Sequence, residues 1–241
     1  MEATLYLIPC TLGDTPVDQV LPPYNTAIVR GIRHFIVEEI RTARRFLRRM
    51  DSQFPIDDCT FYEMGKHAGS HNAQKQQPPY QDAIKVLASG TDVGVISEAG
   101  CPAVADPGTD VVLMAQRRGL QVIPLVGPNS MIMAIMASGL SGQSFAFNGY
   151  LPVDENDRAK RLKALESRAQ SEHQTQLFIE TPFRNRKMIE ALCRTLRPTT
   201  RMCIAAGITT ADQWIKTMTI AEWRRTQLPD LSKIPAIFLI G

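Results

Sequence analysis

The chain has little that would mark a metalloprotein or a secreted one. Its 241 residues hold five cysteines, Cys10, Cys59, Cys101, Cys193 and Cys203. They form no close C-x-x-C pair, which argues against a zinc site or a disulfide frame and fits a reducing cytosol. The four histidines, His34, His67, His71 and His173, do not adopt an H-E-x-x-H spacing, so no metal is expected. No apolar run is long enough to span a membrane. The first residues pass directly into the strand-like Leu5-Tyr6-Leu7-Ile8 instead of a signal peptide, so a cytoplasmic location is expected. Charge is nearly balanced, 27 basic against 24 acidic side chains for a net +3. By itself that implies no polyanionic partner, although local clustering can. Hydrophobic residues make up 44% and charged residues 21%, a composition that excludes disorder.

What is present is an alternation of strand-like and helix-like runs. Strands are suggested at 4–8, 33–38, 92–97, 121–126, 145–149, 175–180, 201–206, 213–218 and 235–240. Helices are suggested near 39–50, 80–89, 108–118, 129–139, 156–169, 184–196 and 219–226. Such alternation implies βαβ units and mostly parallel strands. Late in the chain, two strands separated by a short polar link predict an antiparallel hairpin and a mixed second sheet. Val126-Gly127-Pro128 reads as a hinge, which divides the chain into α/β domains at 1–126 and 127–241. The segment 51–79 is a polar, breaker-rich connection, open between a functional lid and a plain loop.

The most informative stretch is Val93 to Gly108. A buried β-branched strand breaks into Ser97-Glu98-Ala99-Gly100-Cys101-Pro102, then Asp106-Pro107-Gly108, then a helix. A strand that stops at small residues before a helix is where open α/β sheets bind ligands. Small side chains let a ligand approach the backbone, and Glu98 supplies a charge there. The turn after the first strand, Cys10 to Pro16, lacks both G-x-G-x-x-G and G-x-x-x-x-G-K-[ST], so dinucleotide and P-loop readings fail. In the helix beginning near Glu39, Ala43, Phe46, Leu47 and Met50 share one face. Arg41, Arg44, Arg45, Arg48 and Arg49 cover much of the rest. That is either an ordinary amphipathic surface helix or a phosphate-contacting stripe, and five arginines without a lysine favour the latter. A helix starting at Asn129 or Ser130 exposes backbone N–H groups. Glu180 and Arg184, at the end of another strand, either face a cleft or form a structural ion pair.

Together these segments resemble the tetrapyrrole methylase superfamily, the class III S-adenosylmethionine-dependent methyltransferases, in its small-subunit ribosomal RNA methyltransferase branch. The resemblance rests on Leu12-Gly13, Glu38-Glu39-Ile40-Arg41, the Ser97–Pro102 and Asp106–Gly108 blocks, Gly127-Pro128-Asn129-Ser130, Ser138-Gly139-Leu140, Phe145 to Pro152 and Glu180-Thr181-Pro182-Phe183-Arg184. It implies two α/β domains with the cofactor, S-adenosylmethionine, in the cleft between them, and a homodimer. Carried over by position, the cofactor contacts are Leu12, Glu98, Ala99, Gly100, Cys101, Ser130, Met131, Ile179, Ala206, Pro235 and Ala236. The implied substrate is RNA, or the 30S subunit, methylated on a ribose 2′-hydroxyl. Arg44, Arg45, Arg48, Glu180 and Arg184 are the expected substrate contacts. Glu39 is the candidate base and Arg41 the group that orients a phosphate.

The chain departs from the family pattern in several places. Glu98 and Cys101 replace the usual Asp and Thr, Ile40 replaces a threonine, and Ala206-Gly207-Ile208-Thr209-Thr210 replaces a charged Arg-Glu-Leu-Thr-Lys segment. A His-rich stretch of the family is reduced to Tyr62, Glu63 and His67. These changes keep two other readings open: methylation of a tetrapyrrole or other small molecule, and binding of cofactor and RNA without catalysis.

Overall fold

The computed structural model describes residues 3–64 and 80–241. His67, His71 and most of the polar connection beyond Glu63 lie outside the described residues. The chain divides into two compact units, 1–128 and 129–241.

The first unit is built on five parallel strands: β1 (Thr4–Ile8), β2 (His34–Val37), β3 (Thr60–Glu63), β4 (Val93–Ile96) and β5 (Gln121–Pro124). Their order is β3-β2-β4-β1-β5. Its helices are α1 (Val17–Val20), α2 (Pro23–Val29), α3 (Ile40–Met50), α4 (Gln81–Ala88) and α5 (Thr109–Arg117). Alternation along the strands decides which helices cover which face. Ile8, Phe35 and Val37 pack with Val29, Phe46 and Leu47, so α2 and α3 share one face. Leu5, Ile36, Val93 and Val95 pack with Ile84, Leu87, Val111 and Ala115, so α4 and α5 lie on the other. The four residues of β4 are all buried, as expected for a central strand between two helical layers. Gly94 in its middle admits Ile8 and Phe35, because a Cβ there would lie 2.6 Å from Ile8 Cδ1. β3 falls inside the segment read from sequence as a connection. Among the described residues it is an edge strand paired only with β2, and its half-exposed Thr-Phe-Tyr-Glu gives no apolar run.

The second unit has the mixed sheet the late hairpin implies. Its strands are β6 (Phe145–Tyr150), β7 (Thr175–Glu180), β8 (Arg201–Ala206), β9 (Trp214–Thr219) and β10 (Ala236–Ile240), in the order β6-β7-β10-β8-β9. Only β6 and β7 are parallel; β10 runs antiparallel to both β7 and β8, and β8 to β9. Four helices complete the unit: α6 (Ser130–Ser138), α7 (Glu155–Ser171), α8 (Asn185–Thr195) and the short α9 (Ile220–Trp223). Phe178, Met202, Ile204 and Phe238 meet Leu162, Leu165, Ile189, Leu192 and Trp223 on one face. α6 packs on β8, β9 and β10. The helix suggested at 219–226 ends at Trp223, where its Thr219–Glu222 capping box has stabilised only one turn.

Candidate functional site

β1 and β4 are neighbours, but their connections leave in opposite directions along the sheet: β1 leads to β2, β4 to β5. Their carboxyl ends therefore form a topological switch point, the place where open sheets leave a crevice. A backbone bridge closes the base of that crevice. The Cys10 N–H donates to Gly100 O across 2.8 Å and the Gly100 N–H to Cys10 O across 3.2 Å. Gly100 adopts φ of +69°, open to glycine at little cost, and a Cβ there would stand 3.1 Å from Leu12 Cδ2. Backbone strain continues along the same loop: Ala103 and Ala105 have φ of 63° and 62°, unusual for residues with a Cβ and a feature that concentrates at functional sites. The Cys101 thiol points to Pro128 O at 3.5 Å.

Beside the bridge lies a cavity of about 240 Å³ lined by Leu12, Thr42, Arg45, Phe46, Glu98 and Ala99 among others. Three carboxylates share this end of the sheet. The register of β2 on β4 pairs Val37 with Ile96, which carries the next residues of both strands to adjacent positions. Glu38 there accepts from the Glu98 amide at 3.2 Å, and the Thr42 hydroxyl stands 2.5 Å from Glu98 Oε1. Partial burial raises the Glu38 carboxyl above the usual range; the Glu98 amide opposes this and the Glu98 charge adds to it. Asp106 is pushed up to about 6, first by burial and then by the charges of Glu38 and Glu98. Burial, reinforced by the same three carboxylates, also raises the Cys10 thiol. Cys10 is thus held as a neutral thiol, which donates to Ser97 O at 3.1 Å.

α3 carries the arginine stripe. Arg44 pairs with Asp57 at 3.0 Å, Arg48 donates to Ser52 O at 2.7 Å, and Arg49 donates to Thr15 O at 2.7 Å with Asp14 at 3.8 Å. Arg41 and Arg45 are exposed and have no partner among the described residues. Glu39 is the residue before the helix, in extended conformation, and its side chain makes no cap hydrogen bond.

In the second unit another group of the expected residues forms a row. Ala236 on β10 lies opposite Glu180 on one side and Ala206 on the other, with Ile179 opposite Ile237. Pro235 O accepts from the Gly207 N–H at 2.9 Å. Glu180 is buried and takes both Arg184 Nε, at 2.9 Å, and Nη2, at 2.6 Å, so these two form an ion pair with each other. The segment after Ala206 is a tight turn: Thr210 donates to Gly207 O from both its amide and its hydroxyl. Ser130 and Met131 stand in the first turn of α6, where Asn129 Oδ1 already takes the amides of Met131 and Ile132. Glu38, Thr42 and Asp106 are the residues to which the sequence assigned no site role, although Glu38 and Asp106 stand in segments that carry the resemblance. Their distance along the chain hides their meeting, and only the pairing of β2 with β4 brings Glu38 to Glu98.

A family model for Tetrapyrrole (Corrin/Porphyrin) Methylases matches residues 35–223. The chain belongs to this family of methyltransferases. Among its relatives, the ribosomal RNA small subunit methyltransferase I of Mesorhizobium japonicum is 30% identical over 220 residues, covering 91% of this chain and 68% of that protein. The protein of the same name from Pseudomonas aeruginosa is 27% identical over 219 residues, 91% of this chain and 71% of that one. The Bacillus subtilis protein is 27% identical over 192 residues, 80% and 59% respectively. The fold also matches the crystal structure of the methyltransferase CobJ, with a TM-score of 0.60 at 17% identity over 99% of this chain and 93% of that one. It matches uroporphyrin-III C-methyl transferase from Thermus thermophilus, a structure complexed with S-adenyl homocysteine, with a TM-score of 0.53 at 16% identity over 99% and 97%.

Proposed function

We propose that the protein is an S-adenosylmethionine-dependent methyltransferase that acts in the cytoplasm on small-subunit ribosomal RNA, at a ribose hydroxyl. The observation that carries the cofactor assignment is the Cys10–Gly100 bridge at the switch point. It holds the adjoining loop so that the exposed Glu98 and Ala99 line the wall of the neighbouring cavity. Main-chain groups suit a nucleoside, and the negative charge of Glu38, Glu98 and Asp106 suits a cationic sulfonium. When bound, the cofactor supplies an already electrophilic methyl group.

The protein's part is then alignment and proton acceptance. Leu12, Glu98, Ala99, Gly100 and Cys101 are proposed to hold the cofactor in the first unit. Ser130, Met131, Ile179, Ala206, Pro235 and Ala236 are proposed as cofactor contacts of the second. Glu39 is proposed as the acceptor of the hydroxyl proton, with Arg41 orienting a neighbouring phosphate and Arg45 and Arg48 meeting substrate; Arg44, Glu180 and Arg184, expected from sequence as substrate contacts, are engaged in the ion pairs Arg44–Asp57 and Glu180–Arg184. Asp106 is the rival base, because its raised pKa of about 6 places it nearer the working pH of a general base. Glu39→Gln and Asp106→Asn separate the two: the variant lacking the true base loses methyl transfer by about 100-fold or more while still taking up cofactor.

The deciding experiment incubates the purified protein and radiolabelled S-adenosylmethionine with 30S subunits, naked 16S rRNA and tetrapyrroles. Label in RNA is expected. Label in the tetrapyrroles alone overturns the substrate. Cofactor uptake and RNA binding with no label in any arm would make the protein a non-catalytic binder.

A further inference from the structure

We infer that Arg41 and Arg45 form the RNA phosphate-binding crest of α3, and that Arg44 and Arg49 are held back as structural arginines. The inference rests on the RNA-methylating reading and names the residues that would carry the contact. Five arginines occupy eleven residues of one helix, yet their surroundings divide them. Arg44 is drawn to Asp57, and Arg49 to Thr15 O and Asp14. Arg48 gives one N–H to Ser52 O and keeps the rest of its fork exposed. Arg41 and Arg45 alone lack a partner among the described residues.

Arg41 and Arg45 are four residues apart, so they stand on one side of the helix about 6 Å from each other along its axis. Like charges at this spacing oppose helix formation. The nearby carboxylates are engaged elsewhere or set aside: Asp57 with Arg44, and Glu98 with the Thr42 hydroxyl on the cavity side. Glu39 precedes the helix. An anion carrying charges at regular intervals would satisfy both guanidinium groups at once, and their planar forks match phosphate oxygens. A membrane surface fits less well. Ala43, Phe46 and Leu47, the apolar face of α3, are already in the core, so no apolar face is left to enter a bilayer. Arg45 also lines the cavity beside Glu98. A strand bound along the crest would therefore run past the mouth of the proposed methyl-donor site.

The test compares the wild type with Arg41→Ala/Arg45→Ala and with Arg44→Ala. Binding of a short single-stranded RNA is followed by fluorescence anisotropy from about 50 to 200 mM salt, the range in which phosphate contacts are read from the slope. The double variant is expected to bind at least tenfold more weakly, and its log-affinity against log-salt slope is expected to shrink by about 1.4 for two lost phosphate contacts. Its melting temperature is expected to be unchanged or higher, which a merely structural pair would not give. Arg44→Ala is expected to keep the wild-type slope and to melt lower. An unchanged slope in the double variant overturns the inference. So does binding that is confined to phosphatidylserine vesicles. Calorimetric uptake of S-adenosylmethionine by the wild type is measured separately. If that fails while the RNA slope depends on Arg41 and Arg45, the crest stands and the methyltransferase reading falls.

Discussion

The Thr42 hydroxyl stands 2.5 Å from Glu98 Oε1 and 3.0 Å from Glu39 O. It has one proton, and the carboxylate is the stronger acceptor. A single side chain of α3 therefore orients the one carboxylate at the end of β4. Thr42→Val keeps the shape and removes the donor. Affinity for S-adenosylmethionine is expected to fall about fivefold, the loss of about 1 kcal/mol for such a bond. Isothermal calorimetry reads it, and equal affinities would remove Glu98 orientation from the site.

Acidity should affect stability in an unusual direction. The Asp106 carboxyl titrates near 6 in the fold against about 3.9 in an unfolded chain. Below about pH 4 it is protonated in both states and contributes nothing to the difference. As pH rises from about 4 through 6, the unfolded chain releases the proton first, so the fold loses stability. Asp106→Asn should then be more stable than the wild type at pH 8, by about 1 kcal/mol once solvent screening of this half-exposed group is allowed for. The gap should close near pH 4. Urea unfolding at both pH values checks this, and a gap independent of pH would refute it.

Gly100 is the position where the two switch-point loops touch. Gly100→Ala places a Cβ on a residue with φ of +69° and 3.1 Å from Leu12 Cδ2. A cost of about 1–2 kcal/mol is expected from the left-handed backbone. For a chain of this size that lowers the melting temperature by about 2–8 °C. Cofactor uptake should fall further than stability does, because the displaced loop is the proposed contact surface. A variant that melts early but binds normally would move the site elsewhere.

Arg184→Ala strands the Glu180 carboxylate in the second sheet, where it is 6% exposed and keeps, among the described residues, only the Thr181 amide as donor. A loss of about 2 kcal/mol is expected. Glu180→Gln/Arg184→Ala should recover part of it, since the uncompensated charge is gone. Thermal melts of the single and double variants measure the difference. A substrate role for the pair would appear instead as weaker RNA binding at unchanged stability.

Much of this was readable from residue order. The β-branched run at Val93 and its small-residue bend located the central strand and the crevice at its end, because sterics and burial act locally there. The antiparallel β8–β9 pair was legible from its short polar link. Other features depend on contacts distant in sequence. β3 was hidden because an edge strand needs no continuous apolar face. The meeting of Glu38 with Glu98 follows from a register that joins residues 60 positions apart. The five arginines look alike in sequence; only the placement of Asp57, Ser52 and Thr15 tells engaged from unengaged.

Strand order also bears on how the second unit is made. β10 occupies the middle of its sheet yet follows every other strand in the chain. While a ribosome is still adding residues before Ala236, β7 and β8 have no common neighbour, and Phe178 and Ile204 lack Phe238, the β10 residue that lies beside both. A nascent chain must therefore hold an incomplete, adhesive sheet until its final strand emerges. Slowing synthesis near that point, or withholding a holdase chaperone, should favour aggregation over native protein.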